Sequence, residues 1–119
     1  MKIANKDARK FVQQQHPFEG SNLFATFRTK KGKDAEGNDT HTGSWYAVYS
    51  YGDHWPLFVY ANDTWFENED KYGMTTSKHR SQTHPHCPTV LLSTAWMIRL
   101  ARDGYNAIAQ QRVLTGEPA

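Results

Sequence analysis

The chain has 119 residues, the length of one compact domain, and a formal net charge of +2. Four Trp, six Tyr and six Phe supply large buriable side chains, which argues against disorder throughout. A single cysteine, Cys87, excludes an intrachain disulfide and fits a reducing compartment.

No apolar run approaches the roughly 18–20 residues that span a bilayer. The opening "MKIANKDARKFVQQQ" is charged and lacks the apolar stretch of a secretory signal, so the expectation is a cytoplasmic protein with no membrane partner. The charge is laid out in blocks. Asp53 to Asp70 holds five acidic residues and no Lys or Arg, whereas Lys71 to Arg102 holds five basic residues and no acid. Such blocks either neutralise one another in the fold or leave a basic face for phosphates or an acidic partner.

In chain order, Lys6 to Gln15 reads as a short helix, with Ala8, Phe11, Val12 and Gln15 at helical spacing and Asn5 or Asp7 as its cap. His16-Pro17 ends it, because the residue before proline is pushed out of the α region. "SNLFATFRT" alternates, placing Leu23, Ala25 and Phe27 on one side of a strand. "KKGKDAEGNDTHTG" reads as a polar loop, with residues 30–42 expected to be mobile. "SWYAVYSY" and "PLFVYA" are β-branched and aromatic runs joined by the turn "GDHW", and "AND" leads into a third run, "TWFEN". This is an antiparallel meander. Trp45, Ala47 and Tyr49 alternate with Tyr46 and Val48, so both faces carry apolar or aromatic groups. The expectation is helix cover on one face and a partly covered aromatic surface on the other.

Tyr72 to Pro88, "YGMTTSKHRSQTHPHCP", reads as a structured basic loop. The C-terminal part reads as helical cover. Ser93 is a good N-cap, Leu92 and Met97 are placed for a hydrophobic staple, and Trp96, Met97, Leu100 and Ala101 form a stripe. Gly104 either ends this helix, with Tyr105, Ile108 and Val113 restarting a second, or is tolerated within one long helix. Residues 115–119 are expected to fray. The whole is expected to be one α+β domain, 1–119, with an N-terminal helix, a three- to four-stranded antiparallel sheet, a basic loop and C-terminal helical cover.

The basic segment offers the candidate chemistry. His79, His84, His86 and Cys87 are donors suited to zinc, but their spacing matches no standard finger, and histidines bonded to backbone are the simpler reading. Thr75, Thr76, Ser77, Lys78 and Arg80 all donate to oxyanions, yet the glycines of a P-loop are missing, and hydroxyls satisfying a loop's own backbone explain the composition equally. Cys87 lies beside histidines, as a nucleophile needs, and is also followed by apolar residues that would bury it. Glu67, Glu69 and Asp70 supply paired carboxylates, or simply an acidic, solvated turn. Tyr46, Tyr49, Tyr51, Trp55, Phe58 and Tyr60 form either a base-stacking platform or core. No cofactor is expected.

The segments "WYAVYSYGDHWPLFVY" and "NEDKYGMTTSKHRSQTHPHCPT" resemble a family of small tailed-bacteriophage proteins with an aromatic hairpin followed by a Thr-Ser-Lys-His segment, over about residues 45–92. The resemblance implies a phage origin and the cytoplasm of an infected bacterium; the family carries no assigned activity, so the resemblance hands over no catalytic residues. The resulting expectation is a non-enzymatic accessory protein that interferes with a host protein or protein–nucleic-acid complex, such as a defence or nucleic-acid-processing assembly. Its expected binding surface combines Tyr51, His54, Trp55, Thr76, Ser77, Lys78, His79, Arg80, His84 and His86. The alternatives are a binder of nucleic acid or a small nucleotide signal, and a zinc- or histidine-dependent phosphodiesterase.

Overall fold

The computed structural model describes residues 2–33, 35–70, 73–105 and 108, with backbone alone at 30–33 and 39–43. A 3-10 turn, Asn5–Asp7, leads into helix α1, Ala8–Gln13. Six strands follow: β1 Phe18–Glu19, β2 Leu23–Lys33, β3 Asp39–Ser50, β4 Pro56–Ala61, β5 Thr64–Asn68 and β6 Val90–Leu92. Helix α2, Met74–Thr83, lies between β5 and β6, and helix α3, Thr94–Asp103, follows β6. The class is α+β. Among the described residues, no helix is long and apolar enough to cross a membrane.

The strands form one sheet in the order β1-β2-β3-β4-β5-β6. Neighbours from β1 to β5 pair antiparallel, whereas β5 and β6 run parallel, with Phe66 opposite Val90 and Asn68 opposite Leu92. A parallel pair cannot be closed by a tight turn, so α2 serves as the crossover that returns the chain to the same end of the sheet. The sheet is larger than the three or four strands expected, because β1 and β6 are too short to show a pattern.

Two apolar layers lie against the sheet. Trp45, Ala47, Tyr49, Val59 and Phe66 pack with Met97, Leu100 and Ala101 of α3. Tyr46, Val48, Phe58 and Trp65, on the other face, pack with Ala8 and Val12 of α1. The strand alternation thus feeds two cores. The partly covered aromatic face expected from sequence is instead a second core: Tyr46 and Phe58 are fully buried, as is Tyr49 on the first face.

Two other expectations need correction. The polar loop at 30–42 is mostly backbone-paired strand: Lys31 lies opposite His41 and Lys33 opposite Asp39, beyond a register shift between Thr29 and Lys31. Backbone pairing continues past the end of the apolar alternation. Within the basic loop, Met74–Thr83 form the ten-residue helix α2, whose buried positions are Thr76, His79 and Thr83. They fall at helical spacing, but they are polar, so no apolar stripe marks them.

The C-terminal reading matches through Gly104. Ser93 Oγ accepts from the Trp96 amide, Leu92 and Met97 are both buried, and α3 stops at Asp103. Gly104 has a left-handed φ of 89° and sits against the Trp45 ring, where an added Cβ would lie 2.8 Å from a ring carbon. The Trp45 indole N–H donates to the Ala101 carbonyl at 2.7 Å, satisfying one of the last acceptors of the helix. Val113 and the 115–119 tail lie outside the described residues.

Candidate functional site

Helix α2 is anchored by polar contacts rather than by apolar burial. Glu67, on β5, shares the face of Trp65 and points beneath the helix, its side chain only 7% exposed. Its Oε2 accepts from Arg80 Nε at 2.7 Å and pairs with Arg80 Nη2, and its Oε1 accepts from the Thr89 hydroxyl at 2.6 Å. His84 Nε2 lies 3.2 Å from the same Oε1. Burial alone would raise the Glu67 carboxyl. The Thr89 hydroxyl, Arg80 and His84 together outweigh that and hold it below the usual carboxylate range.

A second contact lies nearer the start of the helix. His79 Nδ1 lies 2.8 Å from the hydroxyl of fully buried Ser50, and the Thr83 hydroxyl donates to the His79 carbonyl at 2.7 Å. Burial, with the nearby Lys78 charge, pushes the His79 pKa down, so its neutral form is favoured. The other end of α2 is held from α1. Arg9 donates to the Ser81 and His84 carbonyls, at 2.5 and 3.0 Å, and Gln13 donates to the Pro85 carbonyl at 3.1 Å.

Between the β3–β4 turn and the start of α2 lies an open cleft of about 640 Å³, lined by Ser50, Tyr51, Gly52, His54, Trp55, Gly73, Met74, Thr75 and Thr76. Tyr51 is 59% exposed and Met74 is 91% exposed, while Trp55 is half-buried against the α1-side core. Tyr51 has φ 67°, a left-handed conformation costly for a bulky side chain. Two contacts hold it there: the Tyr51 amide donates to the Asn22 carbonyl at 2.8 Å, and its ring lies 5.6 Å from that of His79.

The expected site residues therefore separate into groups. Tyr51, His54, Trp55 and Thr76 meet at the cleft, and His79 supports Tyr51 from below. Ser77 and Lys78 are exposed on α2. Arg80 and His84 turn away from solvent-borne ligands and onto Glu67. His86 is exposed with φ 57°, its amide donating to His84 Nδ1 at 3.0 Å. Cys87 is half-buried, and burial pushes its thiol up, away from the thiolate. The four candidate zinc donors do not converge. Among the described residues, no group of three His, Cys, Asp or Glu side chains is placed to hold a metal ion.

Sequence reasoning missed Gly73 and Met74 as cleft residues, because the start of α2 carries no side-chain cap. It also read Glu67 as part of an acidic turn. The available signal was its phase: Glu67 falls two positions after Trp65, hence on the same strand face. Asp70 likewise has a structural partner, its Oδ2 accepting from the Thr94 amide and hydroxyl at 2.7 Å each. Comparison with models of known protein families, with curated proteins and with solved structures finds no match to this chain.

Proposed function

We propose that this chain is a non-enzymatic accessory protein, of the tailed-phage type its sequence resembles, that binds a bacterial host protein through the Tyr51–Met74 cleft. The observation that carries the reading is the composition and strain of the cleft rim. Exposed Tyr51 and Met74 flank half-buried Trp55, and aromatic residues and Met are the types enriched where proteins bind one another. Tyr51 keeps its ring there despite an unfavourable backbone conformation, which favours a role for the ring outside the fold itself. Arg80, His84, Glu67 and His79, the groups best suited to chemistry, are engaged with one another or with the fold's own hydroxyls.

A second reading is nucleic acid or a nucleotide signal. It is favoured by Lys78, exposed on a helix without acidic residues.

The test places a photo-cross-linking residue at position 74 and exposes the protein to lysate of a bacterial host. The expected result is a discrete protein adduct that survives nuclease and moderate salt and is lost in Tyr51→Gly. That substitution removes the ring and relieves the backbone, so the variant stays folded. An adduct indifferent to Tyr51→Gly overturns the cleft as the binding surface. Capture abolished by nuclease, or falling steeply with salt, favours nucleic acid instead.

A further inference from the structure

On the opposite side of the β3–β4 turn, a smaller cavity of about 220 Å³ is lined by Arg28, Tyr49, Asp53, His54, Ile98, Ala101 and Arg102. Its volume is below the range usual for drug-sized ligands, so it suits a single small group. Its polar groups come from two strands, a turn and a helix. Arg28 is on β2, Tyr49 on β3, Asp53 and His54 on the turn, and Arg102 on α3.

The donors are only partly used by the protein. Arg28 Nη1 donates to the Tyr49 hydroxyl oxygen at 3.4 Å, and among the described residues Arg28 meets no carboxylate. Because Tyr49 accepts from Arg28, its own O–H proton is left to point elsewhere. Arg102 gives Nε and Nη2 to Asp103, at 3.2 and 3.1 Å, which leaves Nη1. A guanidinium, a phenol and a second guanidinium thus border one small space, an arrangement that recognises the oxygens of an oxyanion.

Asp53 is the acid among the lining residues. Its Oδ1 is 3.7 Å from Nε2 of the solvent-exposed His54, a long and weak contact. A bare carboxylate beside the cavity repels a fully deprotonated anion. It accepts a hydrogen bond from an anion that still carries a proton. Inorganic phosphate near neutral pH keeps at least one such proton, a phosphomonoester keeps one in part, and sulfate keeps none.

We infer that the Arg28–Tyr49–Asp53–Arg102 cavity binds a protonated phosphate group, with the two arginines and the Tyr49 hydroxyl donating and Asp53 accepting from the P–OH. The site shares His54 with the cleft proposed for the protein partner, but its proposed donors and acceptor, Arg28, Tyr49, Asp53 and Arg102, lie outside that cleft, so it is tested independently. A free phosphate ion and the end of a phosphomonoester share this chemistry.

The experiment is a titration of the full chain with inorganic phosphate, sulfate and methyl phosphate at constant ionic strength, followed by amide chemical shifts. Saturable phosphate binding is expected, with shifts centred on 28, 49, 53 and 102 and sulfate on the order of tenfold weaker or more. Arg28→Gln and Tyr49→Phe should each weaken phosphate by about fivefold or more, because the first removes the guanidinium charge and the second the hydroxyl donor. Tyr49→Phe keeps the ring that stacks on Phe24, so it separates loss of the donor from loss of packing. Asp53→Asn should narrow the preference for phosphate over sulfate. Met74→Glu, at the other cleft, should leave the titration unchanged. Methyl phosphate binding as tightly as phosphate assigns the site to an ester, and weaker binding assigns it to the free ion. Sulfate binding as well as phosphate, or phosphate binding indifferent to Arg28→Gln and Tyr49→Phe, overturns the proposal.

Discussion

Glu67 concentrates more of the fold's polar organisation than any neighbouring side chain described above. One carboxylate engages Arg80, His84 and Thr89, and all of these follow it in sequence. Replacing it with Gln keeps the volume and removes the charge, leaving Arg80 beside a neutral amide in a largely buried setting. The expected cost is about 2–4 kcal/mol, read as a lower urea midpoint at neutral pH, because breaking one side of such a pair strands the other. The pH dependence follows from the lowered carboxyl. A carboxylate held below its unfolded value contributes stability above about pH 4.3 and loses it as pH falls through the folded value. Wild type should therefore lose stability below that point more steeply than Glu67→Gln, and the two unfolding curves should converge in acid. Parallel curves down to acid pH would show that Glu67 adds nothing beyond its volume. His79 adds an effect of the same sign. Its lowered pKa favours the neutral ring in the folded state, so protonation below about pH 6.5 favours unfolding.

At the scale of elements, the two longer helices present opposite cases. Helix α3 was legible because its cap, staple, stripe and terminating glycine are all written in residue types with local meaning: Ser93, Leu92 with Met97, Leu100 with Ala101, and Gly104. Helix α2 was not, because Thr76, His79 and Thr83 bury a polar face whose partners, Ser50 and the helix's own carbonyl, are not visible in the local pattern. Two glycine substitutions separate the ends of these helices. Gly104→Ala places a methyl group against Trp45 in a left-handed conformation and should cost about 2–3 kcal/mol. Gly73→Ser, at the uncapped start of α2, meets open space and an extended φ of 179°, and should stabilise by about 0.5 kcal/mol. Thermal unfolding of the two variants checks both signs.

Across the whole molecule, one sheet separates two cores, and the central strands were readable for that reason. Trp45, Ala47 and Tyr49 serve one core while Tyr46 and Val48 serve the other, so the run looks apolar throughout instead of alternating. The edges were not readable. Phe18–Glu19 is too short to carry a period, and Val90–Leu92 resembles the approach to a helix. The candidate cleft was legible in part. Tyr51, His54 and Trp55 declare themselves as an aromatic turn, but only the three-dimensional path of α2 brings Gly73 to Thr76 against it.

The parallel β5–α2–β6 unit bears on the order in which the chain assembles. Strands β1 to β5 close through neighbouring antiparallel pairs, which form quickly because the loops between them are short. Strand β6 closes a longer loop that contains a helix, so it is expected to dock after the meander. Glu67 ties the strand before the crossover to the helix through Arg80 and to the approach to β6 through Thr89, so it acts as a latch on a step that comes late. Thr89→Ala should accordingly destabilise by about 1–2 kcal/mol, almost wholly through faster unfolding, with the refolding rate little changed. Stopped-flow refolding that slows in proportion to the lost stability would place the crossover in the folding nucleus instead. If the latch opens first, the wall of the cleft that carries Met74 is also the part of the molecule that detaches most readily while the meander stays intact.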